Sequence, residues 1–227
     1  MVIKMQDWKK SSGVKALSEI SDLDKLKIEI SNCSICVDPS VKKPLPHKPR
    51  PVLIVSSNAR IAICGQAPGT RVHQSGIPFT DPSGERLRQW LGVSDDVFYD
   101  SDQFAIIPMG FCFPGLDAKG GDLPPRKECA LAWRTKVMEM MPQLRLLLVI
   151  GIHAQAWHMG KNRQKNLTDT VAAWRSYLDE DRDMSILPLP HPSWRNNAWI
   201  KKNQWFEDEL LPVLRARVQV ELKAAST

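Results

Sequence analysis

The segment Arg60-Ile61-Ala62-Ile63-Cys64 runs directly into Gly65-Gln66-Ala67-Pro68-Gly69. The first half is a short apolar run, and the second is a turn that glycine and proline make stiff and open. A short apolar run closed by turn residues reads as a buried strand. Three further runs have the same character: Phe104–Pro108, Leu144–Ile150 and Met184–Leu189. Between them lie stretches with helical apolar spacing at Gly84–Leu91, Lys127–Met141, Ile152–Met159, Thr168–Leu178 and Asn203–Val220. Strands alternating with amphipathic helices predict an α/β fold of three layers, a central parallel four-stranded sheet flanked by helices.

In such sheets, ligands bind outside the carboxyl ends of the strands. Three of those ends carry conspicuous turns: Gly65–Gly69, then Met109-Gly110-Phe111-Cys112-Phe113-Pro114-Gly115, then Pro190-His191-Pro192-Ser193. Glycine lets backbone approach a ligand closely, and proline fixes the turn.

The wider composition suits this reading. The 227 residues are 43% hydrophobic and 25% charged, enough for a real core and against disorder. No apolar run approaches the roughly 20 residues of a membrane span. Met1 to Gly13 is polar and lacks the apolar core of a signal peptide, so a cytoplasmic address is expected. Lys and Arg number 31 against 25 acidic residues, a net charge of +6 that fits a polyanionic partner as well as a merely basic enzyme. Residues 1–50 read as a peripheral unit, a helix over Val14–Ile30 and then a Pro-rich arm over Val37–Pro51. Residues 51–220 read as the α/β domain, and 221–227 as a tail.

Five cysteines without an export signal argue against disulfides. Cys33 and Cys36 form a Cys-x2-Cys pair, while Cys112 and Cys129 stand apart. Four thiolates in this pattern can ligate zinc or an iron–sulfur cluster, or be unrelated buried thiols. Cys64 ends its strand and reads as core.

Taken together, Gly65-Gln66-Ala67-Pro68-Gly69, Gly76-Ile77-Pro78-Phe79 with Pro82-Ser83-Gly84, and His191-Pro192-Ser193 resemble the uracil-DNA glycosylase superfamily, most closely its family 4. The resemblance runs from about Cys33 to Arg217. It implies a DNA-repair hydrolase that flips uracil or a related deaminated base out of DNA and cleaves its N-glycosidic bond. It also implies a [4Fe–4S] cluster on Cys33, Cys36, Cys112 and Cys129. Phe79 falls where the family stacks its base. The backbone around Gly65, Gln66, Ala67, Pro68 and Gly69 falls where base and water are contacted, and His191 where the base oxygen is approached. Ser193 falls where a phosphate is held. The loop after it inserts an apolar wedge in the family. Trp194, Arg195, Trp199 and Lys201 suit that role, with rings for stacking and cations for phosphate.

The sequence departs from the family at three places. Gln66 stands where family 4 usually has Glu, and Ala67 where other families have Asp or Asn. The nearest carboxylate is Asp81, which could replace the missing base or simply cap the helix near Gly84. Pro108 stands where an Asn commonly reads uracil, and it offers no side-chain hydrogen bond. His153 and His158 lie five apart and do not share a helix face well, so structural roles are expected. Lys161–Lys165 reads as a short basic loop that could touch DNA or simply be solvated. The implied enzyme acts on duplex or single-stranded DNA containing uracil, as a monomer, and with no membrane partner. The alternatives are a weak or inactive nucleic-acid-binding protein on the same fold, and an enzyme acting on a free nucleobase.

Overall fold

A computed structural model describes residues 20–178 and 183–225. Four strands, β1 (Ile61–Cys64), β2 (Phe104–Ile106), β3 (Leu146–Ile150) and β4 (Ser185–Leu189), form one sheet in the order β2-β1-β3-β4. Every pairing is parallel, with Ile61 opposite both Phe104 and Leu146, and Leu146 opposite Ser185. The sequence expectation of a central parallel sheet therefore holds, with each strand slightly shorter than its apolar run.

The side-chain period of two explains why these runs are apolar throughout. Ala62, Cys64, Ala105, Leu147 and Val149 enter one core, with Leu26, Ile30 and Val137. Ile61, Ile63, Phe104, Leu146, Leu148 and Leu187 enter the other, with Leu87, Phe206 and Leu214. A strand buried on both faces has no polar alternation to show. Cys64 is completely buried on its strand, as expected.

The helices are α1 (Asp22–Ser31), α2 (Thr70–Ser75), α3 (Pro82–Leu91), α4 (Asp95–Tyr99), α5 (Lys127–Cys129), α6 (Thr135–Glu139), α7 (Gly151–Met159), α8 (Leu167–Ala172), α9 (Asn197–Lys202) and α10 (Leu211–Ala225). The N-terminal helix begins at Ser21, whose hydroxyl accepts from the Asp24 N–H. Of its expected span, residues 14–19 lie outside the described residues, as does the polar stretch 1–13. The expected helix Lys127–Met141 is interrupted between α5 and α6 by a π-helical turn, Ala130–Arg134. The expected helix Thr168–Leu178 ends as α8 and continues as a 3-10 turn, Trp174–Tyr177. Pro212 has no N–H to offer the preceding turn, and that turn, Phe206–Leu210, widens to π geometry. The last helix runs on to Ala225, so residues 221–225 extend it and the expected separate tail is corrected. Glu221 on it takes both Nε and Nη2 of Arg60, at 3.0 and 2.8 Å, tying α10 to the entry of β1.

The segment just after the Pro-rich arm packs along the β2 edge of the sheet. Ile54 and Ile106 exchange backbone hydrogen bonds at 3.0 and 2.7 Å, and the Val52 N–H donates to the Phe111 carbonyl at 2.8 Å. Beyond β2 the chain is held from below by Arg134, which is fully buried. Its Nη1 donates to the carbonyls of Ile107 and Pro108, and its Nε donates to Nε2 of His158 at 2.8 Å. His158 is thus an acceptor. Burial, with Arg134 adding to it, pushes its pKa down to about 3. Among the described residues no helix is long and apolar enough to cross a membrane.

Candidate active site

Strand order reverses at β1, which has β2 on one side and the later β3 on the other. Ligand crevices form at such points. Here a cleft opens at the end of β1, walled by Gly65, Ala67, Pro68, Phe79 and Pro108. A second cleft adjoins it, with Arg71, Ser193, Trp194 and Arg195 on its walls. Gln66, Asp81, Asp122 and His191 line both. Two of the three strand-end turns read from the sequence, Gly65–Gly69 and the one carrying His191, therefore converge here, while the turn after β2 reaches the cleft only through Pro108 before it.

Phe79 is held in an uncommon backbone state, with φ at 56°. A bulky residue there is strained, and the surroundings enforce it. Tyr99 donates from its hydroxyl to the carbonyls of Pro78 and Phe79, at 2.9 and 3.1 Å, and Arg88 Nη1 donates to the latter at 3.3 Å. Arg88 is in turn paired to Asp95 at 2.7 Å. The Phe79 ring packs edge-on to Phe98 and lies over Gly65, where an added Cβ would sit 3.6 Å from Cζ. At Gly84 an added Cβ would fall 1.8 Å from the Phe79 carbonyl oxygen, so only glycine lets α3 approach this turn. The result is a half-buried, immobilised ring forming one wall of the cleft.

His191 follows β4. The Ser193 N–H donates to its Nδ1 at 3.2 Å, and Asn196 donates to its carbonyl at 2.6 Å. Arg86 braces the same loop through the Ser193 carbonyl and Asn197 Oδ1. Because Nδ1 accepts, Nε2 carries the proton in the neutral ring. Burial lowers the pKa of His191, against the opposing pull of Asp81 and then Asp122. The imidazole is thus a neutral donor through Nε2.

Asp81 fulfils one of its two readings directly. Its Oδ1 accepts from the Gly84 N–H at 3.2 Å and the Ser83 hydroxyl at 2.6 Å, capping α3. It nevertheless lines both clefts. Asp122 is a site residue that the sequence reading missed. An added Cβ on Gly69 would lie 3.4 Å from its Oδ2, so this carboxylate stands over the turn that follows β1. Burial raises its pKa, with Arg195 and His191 pulling the other way. Nothing in the order of residues announces it, because it lies 53 positions past Gly69 and only the folding-back of its loop brings the two together.

The expected wedge divides. Trp194 is 71% exposed, with Arg195 stacked at 5.8 Å from its ring centroid. Trp199 is not beside it. That ring packs against Trp205 and Phe206 and donates from Nε1 to the Thr168 hydroxyl at 2.8 Å. Trp199 therefore does not stand beside Trp194 as the sequence reading placed it, since α9 replaces the open loop and turns its half-buried ring toward Trp205 and Phe206. Lys201 is exposed on α9 and lines neither cleft.

Cys33, Cys36, Cys112 and Cys129 line one small cavity between the N-terminal unit and the loop after β2. Among the described residues no three His, Cys, Asp or Glu side chains close on a single metal ion. Two of the four sulfur atoms already accept hydrogen bonds. Cys129 Sγ accepts from the Phe111 N–H at 3.3 Å, and Cys33 Sγ accepts from the Trp133 indole at 3.2 Å. Burial pushes the thiols of Cys112 and Cys129 up to about 11 and about 12. Such thiols ionise only against strong positive charge, which a bound metal supplies.

Comparison with known families decides what this arrangement belongs to. The family model of the Uracil DNA glycosylase superfamily matches residues 53–215. The chain belongs to that superfamily. Within the matched segment of this uracil DNA glycosylase superfamily member lie Phe79, Asp122 and His191, and the whole lining of both clefts except Val52. Among solved structures, the chain is similar to a solution NMR structure from Methanosarcina acetivorans of a protein proposed to be a uracil DNA glycosylase. The identity is 17%, the match covers 74% of this chain and 95% of that one, and the TM-score is 0.43. So distant a likeness adds nothing to the account of the site.

Proposed function

We propose that this member of the superfamily is a DNA-repair glycosylase that hydrolyses the N-glycosidic bond of uracil, or a related deaminated base, after flipping it out of DNA. The observation that carries this reading is His191, a neutral Nε2–H donor at a cleft walled by the fixed ring of Phe79. A base entering the cleft stacks on Phe79. As the glycosidic bond breaks, electrons move onto the base, and a preorganised donor stabilises that charge without having to reorient. Donation grows stronger in the transition state than in the ground state, which is what raises rate.

Trp194 and Arg195, exposed on the rim of the adjoining cleft, supply a ring for stacking and a cation for phosphate. The four cysteines would hold a [4Fe–4S] cluster, as in family 4. Its contribution would be structural, joining the N-terminal unit to the loop after β2. The second reading, a nucleic-acid-binding protein with little catalysis, draws on Gln66 and Pro108, which give the cleft neither a motif-one carboxylate nor an amide that reads the base.

The deciding experiment is single-turnover excision from end-labelled oligonucleotides bearing uracil, hypoxanthine or xanthine, in single strands and in duplexes. Release of at least one base, slowed by ~10²–10³ in His191→Ala, is expected. Salt-dependent DNA binding without any release would favour the second reading.

A further inference from the structure

Three carboxylates reach the clefts, and two of them use one oxygen, Oδ1, to hold their own backbone. Asp81 Oδ1 caps α3. Asp117 Oδ1 accepts from the N–H groups of Lys119 and Gly121, at 2.8 and 2.9 Å, closing the tip of its loop. That loop is pinned at its base as well, by an antiparallel bridge between Leu116 and Asp122 and by the Leu123 N–H donating to the Gly115 carbonyl at 2.9 Å. A segment fixed at tip and base holds the third carboxylate, Asp122, over Gly69 and on the walls of both clefts. Among the described residues, the Asp122 carboxylate accepts no hydrogen bond and forms no ion pair within 4.0 Å.

Resting on the glycosylase reading, we propose that Asp122 is the catalytic residue that holds the attacking water and faces the developing sugar cation. Gln66 lies at the same cleft and can orient a water through its amide oxygen, but it cannot take a proton. Asp122 can do both. Asp122 is exposed to solvent on its outer side, and the burial of its cleft-facing side still raises its pKa above the ordinary carboxylate value. The groups facing it are His191 and Arg195, which favour its ionised form, and Asp81, which opposes it.

The step balances with water as the only co-reactant. The C1′–N bond breaks and its electron pair leaves with the base, whose negative charge the His191 Nε2–H stabilises. The water oxygen gives a lone pair to C1′, and the proton it sheds passes to the Asp122 carboxylate and then to solvent. The base anion takes a proton from solvent. Negative charge on Asp122 meanwhile stabilises the oxocarbenium-like sugar until water adds.

The test combines Asp122→Asn with a pH profile of the unmodified protein. Single-turnover excision by Asp122→Asn is expected to fall by about 10²-fold or more. Its affinity for the same oligonucleotide carrying a non-hydrolysable 2′-fluoro nucleotide, and its melting temperature, should stay as they were. The unmodified protein should lose activity as pH falls through the Asp122 pKa, and this acid limb should be missing in Asp122→Asn. Asp122→Glu keeps the carboxylate and should retain part of the rate together with the limb. Full excision by Asp122→Asn overturns the assignment while leaving the glycosylase reading intact. A wild-type profile with no acid limb overturns it without recourse to any variant. A protein that releases no base from any lesion overturns both.

Discussion

The Ser193 N–H donates to His191 Nδ1 across 3.2 Å, and this one bond determines which nitrogen of the ring bears its proton. A backbone donor cannot rotate away as a hydroxyl could, so the tautomer is set by the loop itself. His191→Ala removes the Nε2–H and should lower single-turnover excision by ~10²–10³. DNA affinity should change little, because the interaction matures only as charge develops. Equal losses in binding and turnover would make His191 a plain phosphate contact. Burial keeps the ring neutral, so excision should not require acidification to protonate it.

A second histidine controls stability instead. His158 accepts from Arg134 and has its pKa pushed down to about 3. The folded state then binds fewer protons than the unfolded state, whose histidine titrates near 6.5. The stability this contributes is complete above about pH 6.5 and is lost as pH falls toward 3, at about 1.4 kcal/mol per pH unit. Urea unfolding at pH 7 and pH 5 should show this loss. His158→Gln, which can still accept from Arg134, should reduce the difference between the two pH values. An unchanged difference would place the acid sensitivity elsewhere.

Much of this architecture is legible in the sequence. Doubly buried strands leave continuous apolar runs, and four of those sufficed to give the sheet. The turns at Gly65, Met109 and His191 were legible because glycine and proline mark strand ends. What could not be read is what depends on a loop's path. Asp122 reaches Gly69 only because Asp117 closes its loop and Leu116 pairs back to it. Trp199 looked like an exposed partner of Trp194, since both stand among basic residues. Only α9, six residues long and too short for a helical period to show, turns it toward Trp205 and Phe206. The π-helical turn at Arg134 was hidden inside an otherwise regular helical pattern for the same reason.

Those two tryptophans should respond in opposite ways. Trp194→Ala removes an exposed ring, so the melting temperature should hold while affinity for DNA falls, by about 1–3 kcal/mol if one base stacks on it. Trp199→Ala empties a packed position and deletes the bond to Thr168, and should cost roughly 3 kcal/mol of stability. Thermal unfolding and fluorescence anisotropy on both variants check this. A stable Trp199→Ala that binds DNA poorly would return that residue to the interface.

Protein purified anaerobically is expected to contain iron and acid-labile sulfide, with broad visible absorbance. Cys112→Ala or Cys129→Ala should abolish both. Cys64→Ala should leave the iron content alone, because Cys64 is buried on β1 and does not line the four-cysteine cavity. Iron-free protein from anaerobic cells would end the cluster proposal without touching the cleft.

The strained ring wall offers the sharpest structural contrast. Gly84 and Gly65 both border Phe79, but from different sides. At Gly84 a Cβ would stand 1.8 Å from the Phe79 carbonyl oxygen, a backbone atom already fixed by Tyr99 and Arg88. That oxygen cannot yield without breaking those bonds, so Gly84→Ala should destabilise by about 3 kcal/mol, at the upper end of ordinary overpacking. It should also weaken excision, as the ring is displaced. At Gly65 the nearest atom is Phe79 Cζ at 3.6 Å, an ordinary contact. Gly65→Ala should therefore keep its melting temperature while narrowing the floor of the cleft beneath the ring, so that excision falls without loss of fold. Calorimetry alongside single-turnover kinetics separates the two effects. A Gly84→Ala protein as stable as the parent would show that the Phe79 turn is free to move, and that its positive φ is not enforced by the approach of α3.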